Sequence, residues 1–159
     1  MGVEIERRFL VLPARLPRRM PRGAEIFQGF LALDPVVRVR LLQPAHAKKF
    51  LAFLTVKGRG LRVRAEFEYP IPAADARLLL KLCGARLIRK TRLRLGPWEL
   101  DRYRGRHQGL WIAEIELPRP QAPLPRPRPP WLGREVTTDP RFTNVRLATA
   151  KRWPGPQQP

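Results

Sequence analysis

The chain has 159 residues, 43% of them hydrophobic and 28% charged, which is typical of one globular domain with its own core. Its single cysteine excludes an internal disulfide framework and a zinc site built from several thiolates. The 32 Lys and Arg residues against 13 Asp and Glu give a net charge of +19, which indicates an anionic partner. There is no signal-peptide pattern and no apolar run near 18 residues, so we expect a cytoplasmic protein without membrane contact.

The basic residues are distributed along the chain from Arg7 to Arg152, and arginine outnumbers lysine 26 to 6. A dispersed positive charge attracts nucleic acid through its phosphates, in a salt-dependent and sequence-independent way. We therefore expect nucleic acid to be at most a non-specific partner.

Eight segments have the alternating apolar pattern of β-strands, with short turn-forming stretches between them. Short connections favour antiparallel neighbours. The sequence thus predicts an α+β domain that is predominantly antiparallel β. The segments are residues 3–12, 25–33, 36–43, 49–57, 61–71, 86–95, 98–104 and 110–117.

One segment, residues 72–84, has the pattern of a helix instead. Its leucines recur at helical spacing, Pro72 stands near its start and Gly84 at its end. A second and weaker helical pattern runs from about residue 143 to residue 151. Both helices are expected to pack outside the strands.

Residues 118–130 contain seven prolines in thirteen positions, a density that no central strand or helix tolerates. This composition predicts an extended, polyproline-like connector that acts as a spacer, in preference to a ligand for proline-recognising domains. The globular pattern resumes at residue 131. We expect one domain over residues 1–151, with the connector inside it, and a disordered tail over residues 152–159.

Six of the nine glutamates stand in Glu-x-Glu pairs, each inside a strand-like segment. Successive side chains of a strand alternate between its faces, so both carboxylates of a pair point the same way. Carboxylate oxygens are the ligands that hard divalent cations prefer. The pairs are Glu4/Glu6, Glu66/Glu68 and Glu114/Glu116.

Basic residues are paired in the same way, at Arg38/Arg40, Arg62/Arg64 and Lys90/Arg92/Arg94. Basic side chains hold phosphate oxygens, so paired acids and bases together favour a metal-dependent polyphosphate site. One interpretation is a closed β-barrel with a charged, hydrated lumen. A solvent-exposed face of an antiparallel sheet would show the same alternation.

These motifs, taken in order, resemble those of the CYTH superfamily, the triphosphate tunnel metalloenzymes. The family's N-terminal Glu-x-Glu-x-Lys motif is matched by EIERR at residues 4–8, with Arg8 in place of the lysine. The match extends over residues 2 to about 149. The further elements are VRVR, LTVKG, RAEFE, KTR, WELD, AEIE and the closing GREVTTDPRFTN.

The resemblance implies an eight-stranded antiparallel barrel that forms a tunnel, Mg²⁺ or Mn²⁺ as cofactor, and a homodimer. It implies hydrolysis of inorganic triphosphate to pyrophosphate and phosphate. The metal ligands it implies are Glu4, Glu6, Glu114 and Glu116. The triphosphate ligands it implies are Arg8, Arg38, Arg40, Lys57, Arg62, Arg64, Lys90 and Arg92. The candidates for a further metal ligand or a water-orienting base are Glu66, Glu68 and Asp101.

Arg8 departs from the family motif and leaves two roles open. If the family lysine only holds a phosphate, arginine can replace it. If the lysine donates a proton to the leaving group, arginine is a poor substitute, because its side chain keeps a pKa above about 12.

Other functions share the same tunnel or the same charge. A class IV-type adenylate cyclase and a thiamine or nucleoside triphosphatase would use the tunnel for a different substrate. A non-catalytic polyphosphate- or nucleic-acid-binding protein would also explain the charge of +19. No motif surrounds His46, His107 or Cys83, so we expect none of them to be catalytic and Cys83 to be a small core residue.

Overall fold

A computed structural model describes residues 2–59 and 63–155, with the side chains of residues 2–4, 63 and 64 outside the described set. Within these residues there are nine β-strands and two α-helices. The strands are β1 Gly2–Val11, β2 Ala24–Leu33, β3 Val36–Gln43, β4 Leu51–Lys57, β5 Val63–Pro70, β6 Leu87–Leu95, β7 Trp98–Tyr103, β8 Trp111–Glu116 and β9 Leu132–Glu135. The helices are α1 Ala73–Leu82 and α2 Asn144–Thr149.

The strands form one sheet in the order β5-β4-β3-β2-β6-β7-β8-β1-β9. Neighbouring strands pair antiparallel, as the short connections predict. The start of β1 also pairs with β5, from Gly2 opposite Glu66 to Ile5 opposite Val63. The predicted α+β fold with a mostly antiparallel sheet is confirmed, while closure into an eight-stranded barrel stays a prediction.

The prediction of eight strands was one strand short. β9 follows the proline-rich segment and pairs with the second half of β1, with Val11 opposite Leu132 and Phe9 opposite Glu135. Its sequence, LGRE, has no alternating apolar pattern, so nothing in it indicates a strand. Gly133 suits this close pairing, because a Cβ at that position would lie 2.8 Å from the carbonyl oxygen of Leu10.

Helix α1 forms where it was predicted. Its sequence, AADARLLLKL, is rich in alanine and leucine, and Asp75 in the first turn and Lys81 in the last turn complement the helix dipole. Gly84 ends it with φ +58°, a backbone conformation that glycine adopts without strain. In the described part of the chain, no helix is long and apolar enough to cross a membrane.

Helix α2 occupies six residues of the predicted range 143–151. The Thr143 hydroxyl caps it by accepting a hydrogen bond from the backbone N–H of Arg146 at 3.2 Å. Leu147 and Ala148 are buried, and Phe142 is buried just before the helix. These residues belong to an apolar cluster that includes Phe30 of β2. The C-terminal segment is thereby packed against the sheet.

The apolar residues that alternate with the charged ones are covered on the outer face of the sheet. Helix α1 packs over β3 and β4, where Val39 and Leu41 contact a cluster that includes Ala76. Another cluster joins β1, β7 and β8 to Ala122 of the proline-rich segment and to Trp131, which directly follows that segment. Trp98 packs edge-to-face on Trp131, with ring centroids 5.7 Å apart. Burial of one face in this way leaves the opposite face to the charged side chains.

Candidate functional site

A cavity of about 530 Å³ is lined by side chains from each of the strands β1 to β8 and from the start of α2. Its charged lining consists of six bases and six carboxylates, so the formal charges of the described lining residues balance. The bases are Arg8, Arg38, Arg40, Lys57, Arg92 and Arg94. The carboxylates are Glu6, Glu66, Glu68, Glu99, Glu114 and Glu116.

The first group of charged residues, which we call the Glu68 cluster, lies on β3, β4 and β5. Arg38 Nη2 is 3.1 Å from Glu68 Oε2, and Arg40 Nη2 lies 3.0 Å from both carboxylate oxygens of Glu68. The buried Thr55 hydroxyl donates to Glu68 Oε2 at 2.8 Å. The cluster consists of Arg38, Arg40, Thr55, Lys57, Glu66 and Glu68.

Glu66 completes the Glu68 cluster from the neighbouring lining position of β5. Its Oε2 lies 3.1 Å from Lys57 Nζ, and its Oε1 lies 3.6 Å from Arg38 Nη2. The register explains these contacts, because Lys57 stands directly opposite Glu66 in the β4–β5 pair. The predicted basic residues of β3 and β4 and the glutamates of β5 are thus brought together.

The electrostatics of Glu68 keep it ionised. Partial burial alone would raise the pKa of the Glu68 carboxyl, but Arg40, the Thr55 hydroxyl and Arg38 outweigh burial and lower that pKa. A carboxylate held by two guanidinium groups is a weak base. Glu68 therefore fits the orientation of the arginines better than proton transfer.

The second group, the Asp101 cluster, lies on β6, β7 and β8. Asp101 is fully buried, and its carboxylate accepts from Lys90 Nζ at 2.5 Å and from Arg92 Nε and Nη2 at 2.7 Å each. Arg92 Nη2 is also 2.7 Å from Glu114 Oε2, and Arg92 Nη1 contacts Glu99. The cluster consists of Lys90, Arg92, Glu99, Asp101 and Glu114.

Burial and charge act against each other in the Asp101 cluster. Burial would raise the pKa of the Asp101 carboxyl, but Arg92 and Lys90 outweigh it and hold that pKa well below its usual range. Burial lowers the pKa of the Lys90 ammonium, and Asp101 only partly offsets this effect. Burial also opposes the charge of Arg92, yet Asp101, Glu114 and Glu99 raise the pKa of its guanidinium well above the ordinary value.

Arg8 of β1 connects the cavity to the C-terminal segment. Its side chain is only 2% exposed, and its Nη2 donates to the carbonyl oxygen of Thr137 at 3.0 Å. Its Nη1 lies 3.5 Å from the carbonyl oxygen of Phe142, and its Nε lies 3.6 Å from Glu6 Oε1. The planar guanidinium reaches both carbonyls at once, a geometry that a single ammonium group cannot reproduce.

Three carboxylates, one in the middle of β1 and two near the end of β8, offer oxygen ligands for a divalent cation. Glu6 stands directly opposite Glu116, and Arg8 directly opposite Glu114. Glu6, Glu114 and Glu116 all line the cavity. Among the described side chains, no three or more carboxylate, histidine or cysteine groups are already gathered closely enough to hold a metal ion.

Most of the predicted site residues line this one cavity. Lys90 and Asp101 do not, since they form a buried ion pair joined to the lining through Arg92. Arg62 and the side chains of Glu4 and Arg64 lie outside the described residues.

Sequence reasoning assigned no site role to four of the polar lining residues. Arg94 and Glu99 are a cross-strand pair that continues the charged face of β6 and β7, and this alternation was a usable signal. Thr143 and Asn144 line the cavity from the start of α2, where no periodic pattern marks them.

His107 is buried in a one-turn 3₁₀ helix, where its Nε2 lies 2.7 Å from the Leu147 carbonyl oxygen, so it serves packing.

The described residues form an antiparallel sheet around a charge-balanced cavity of arginines, one lysine and glutamates, which are the side-chain types that suit phosphate anions and divalent cations. The chain is 38% identical to an inorganic triphosphatase of Acetivibrio thermocellus over 155 residues, which cover 92% of this chain and 94% of that protein. It is 33% identical over 150 residues to an inorganic triphosphatase of Nitrosomonas europaea, covering 91% and 96% of the two chains.

Comparison of the fold with solved structures also finds an inorganic triphosphatase. The crystal structure of the inorganic triphosphatase NE1496 superposes with a TM-score of 0.61 and 31% identity, covering 94% of this chain and 97% of that chain. No protein-family model matches the chain. The chain belongs to the inorganic triphosphatase family, and the resemblance to the CYTH superfamily is confirmed.

Proposed function

We propose that this chain hydrolyses inorganic triphosphate to pyrophosphate and phosphate inside the cavity, in a reaction that depends on Mg²⁺ or Mn²⁺. The observation that carries the proposal is the lining of six bases and six carboxylates. The names and high coverage of the relatives support the same substrate.

The charge balance of the cavity favours a substrate that arrives with divalent cations. A polyphosphate carries several negative charges near neutral pH, and the six bases can hold its oxygens. The six carboxylates would repel the same anion. Divalent cations held by the carboxylates would offset that repulsion, so that both the bases and the carboxylates of the lining would contribute to binding.

The residues fit hard divalent cations chemically. Glu6, Glu114 and Glu116 offer carboxylate oxygens from adjacent strands, and Glu4 belongs to the same motif. When bound, such ions neutralise phosphate charge and favour the attack of water. Six oxygen ligands at near-octahedral geometry suit Mg²⁺, and carboxylate and water ligands also suit Mn²⁺.

The chain's own contribution is to position and hold the substrate. Arg38, Arg40 and Lys57 hold phosphate oxygens from one side of the cavity, and Arg92 holds them from the other. The oxygen of a water molecule bonds to the terminal phosphorus as the bond from that phosphorus to the bridging oxygen breaks. Pyrophosphate leaves, and the proton released by the water passes to the products or to solvent.

Two residues receive a different role from the one that the motif implies. Asp101 is buried and held by two cations, so we propose that it positions Arg92 and Lys90 instead of orienting water. Arg8 bonds two backbone carbonyls, so we propose that it fastens the C-terminal segment to β1 instead of donating a proton. Both residues would act through their neighbours.

We also propose that the sheet wraps around the cavity as a tunnel. The pairing of β1 with β5 and the contribution of each strand from β1 to β8 to one lining support this closure. The single-domain boundary at residue 151, the cytoplasmic location and the homodimer stay predictions.

The proposal is tested by a substrate panel of tripolyphosphate, ATP, thiamine triphosphate and longer polyphosphate, each with Mg²⁺ and with Mn²⁺. Phosphate release is measured together with the nucleotide products. We expect the highest kcat/KM with tripolyphosphate. A preference for ATP with release of cyclic AMP would indicate an adenylate cyclase. A preference for thiamine triphosphate would indicate a thiamine triphosphatase. Binding of tripolyphosphate without release of phosphate would indicate a non-catalytic binding protein.

A further inference from the structure

Asn144, the first residue of α2, lines the cavity, and hydrogen bonds to buried residues fix the orientation of its side chain. Its Oδ1 accepts hydrogen bonds from Lys90 Nζ at 3.2 Å and from the Tyr103 hydroxyl at 2.8 Å. A lysine ammonium can only donate, so the oxygen of the carboxamide must face Lys90. The carboxamide nitrogen, with its two N–H donors, is therefore turned away from these buried groups.

Packed apolar side chains lie behind the part of the cavity lining that contains Asn144. Thr143, Asn144 and Val145 line the cavity together with Phe30 of β2. Behind them lies an apolar cluster in which Phe142 and Leu147 are at most 1% exposed. Val145 packs against the same cluster.

The cavity reaches solvent at Arg94. Arg94 lines it there with a side chain that is 78% exposed. Lys90, beside Asn144, lies four residues before Arg94 on the same strand, which corresponds to roughly 13 Å at the rise of a β-strand. A linear polyphosphate that enters at Arg94 would thus meet Asn144 at the end of its path.

We propose that Asn144 is a substrate-binding residue that donates from its carboxamide nitrogen to the terminal phosphate at this end of the cavity, and that it thereby limits how long a polyphosphate chain fits. The inference rests on the proposed triphosphatase function and adds a chain-length determinant to it. A neutral donor at this end binds phosphate oxygen without adding charge to a lining that is already balanced.

The test compares Asn144→Ala, Asn144→Ser and Tyr103→Phe with the wild type. The affinity for tripolyphosphate is measured by calorimetry without metal, and KM and kcat are measured with Mg²⁺ for tripolyphosphate and tetrapolyphosphate. Thermal unfolding of each variant checks the fold. Tyr103→Phe is the matched control, because it removes one hydrogen bond to Oδ1 but leaves in place the carboxamide nitrogen and the hydrogen bond that Lys90 donates to Oδ1.

We expect Asn144→Ala to raise both Kd and KM for tripolyphosphate at least tenfold with kcat within threefold of the wild type. Asn144→Ser, whose hydroxyl can still donate, should lose less. Tyr103→Phe should change Kd by less than threefold. In Asn144→Ala the ratio of kcat/KM for tetrapolyphosphate to that for tripolyphosphate should rise at least threefold, because this end of the cavity becomes deeper.

Three results would overturn the inference: a Kd in Asn144→Ala within twofold of the wild type, an equal loss in Tyr103→Phe, or an unchanged chain-length ratio. An equal loss in the tyrosine variant would mean that the buried network sets the affinity. The proposed function is judged separately, since it fails if the wild type does not release phosphate from tripolyphosphate. Hydrolysis by the wild type with an unaffected Asn144→Ala would leave that function standing and remove this inference alone.

Discussion

Glu6 of β1 lies directly opposite Glu116 of β8, and both side chains line the cavity. Like charges at directly opposed positions destabilise a strand pair. Hydrophobic residues on the outer face fix the register, so the two carboxylates cannot avoid each other by a shift of one residue. A divalent cation bound between them would convert this repulsion into attraction.

Glu116→Gln should therefore stabilise the metal-free protein and abolish most of its stabilisation by metal. Relief of one opposed pair is worth several tenths of a kcal/mol, which corresponds to an increase in Tm of about 1–3 °C. Thermal unfolding with EDTA and with millimolar Mg²⁺ measures both effects. Glu135→Gln is the control, since Glu135 pairs with Arg7 outside the cavity lining. An equal metal-induced rise in Tm in the wild type and Glu116→Gln would contradict the assignment.

Asp101→Asn should destabilise the protein by about 3–5 kcal/mol, because it removes the anionic partner of two cations in a buried site. The folded-state pKa of Asp101 lies below its unfolded value, so its contribution is complete above the unfolded pKa of about 3.9 and is lost as pH falls below that value. Urea unfolding from pH 3 to pH 7 should show a difference between wild type and variant that is constant near neutral pH and shrinks in acid.

The exposed pair of Asp34 and Arg59 provides the control for the Asp101 prediction. Asp34→Asn should leave the unfolding curves near neutral pH unchanged, because solvent screens this pair. If Asp101→Asn behaved like Asp34→Asn, the Asp101 cluster would not be a buried ionic network.

Arg8→Lys restores the residue of the family motif, and we expect it to lower stability and not to raise activity. Lysine can replace only one of the two hydrogen bonds to the carbonyls of Thr137 and Phe142, so we expect a loss of about 1–2 kcal/mol in the free energy of unfolding. The value of kcat should not rise. Arg7→Lys is the control on the opposite face of the strand. A clear increase in kcat with unchanged stability would support the alternative in which position 8 donates a proton.

Arg40→Ala should weaken tripolyphosphate binding far more than it changes stability. A charge-assisted hydrogen bond contributes about 1.5–3 kcal/mol, so Kd should rise roughly 10-fold to 150-fold. Calorimetric titration measures the change. Arg59→Ala, which removes an arginine that is 89% exposed and outside the cavity lining, should leave Kd unchanged. Equal effects of the two substitutions would mean that general positive charge, and not the cavity, binds the anion.

The strand positions and the charged inner face could be predicted because both follow from local alternation. Arg38 and Arg40 had to share a face whatever the tertiary structure, and Val39 between them had to be buried on the other. The same rule brought the glutamates of β5 and β8 to the cavity. Register across strands, such as Lys57 opposite Glu66, depends on turns and on packing, so it was not predictable from either segment alone.

The missed features lack a periodic signal. β9 is four residues long and is held by its pairing with β1, a contact between segments more than a hundred residues apart. Asn144 reaches the cavity only because α2 packs against the sheet through Leu147 and Phe142. The burial of Asp101 likewise depends on the two strands that flank β7, so its sequence context indicated a charged residue but not a buried one.

A metal titration of tripolyphosphate hydrolysis tests most directly whether the opposed carboxylates and paired bases make this cavity the site of a metal-dependent triphosphatase. Wild-type protein freed of metal with EDTA and Glu6→Gln are each titrated with Mg²⁺ and with Mn²⁺, and the release of phosphate and pyrophosphate is followed. We expect no turnover without metal, a saturable rise of the rate in the wild type with equal amounts of the two products, and a rate at least a hundredfold lower in Glu6→Gln. Equal rates with and without metal, or a Glu6→Gln variant as active as the wild type at saturating metal, would contradict this expectation.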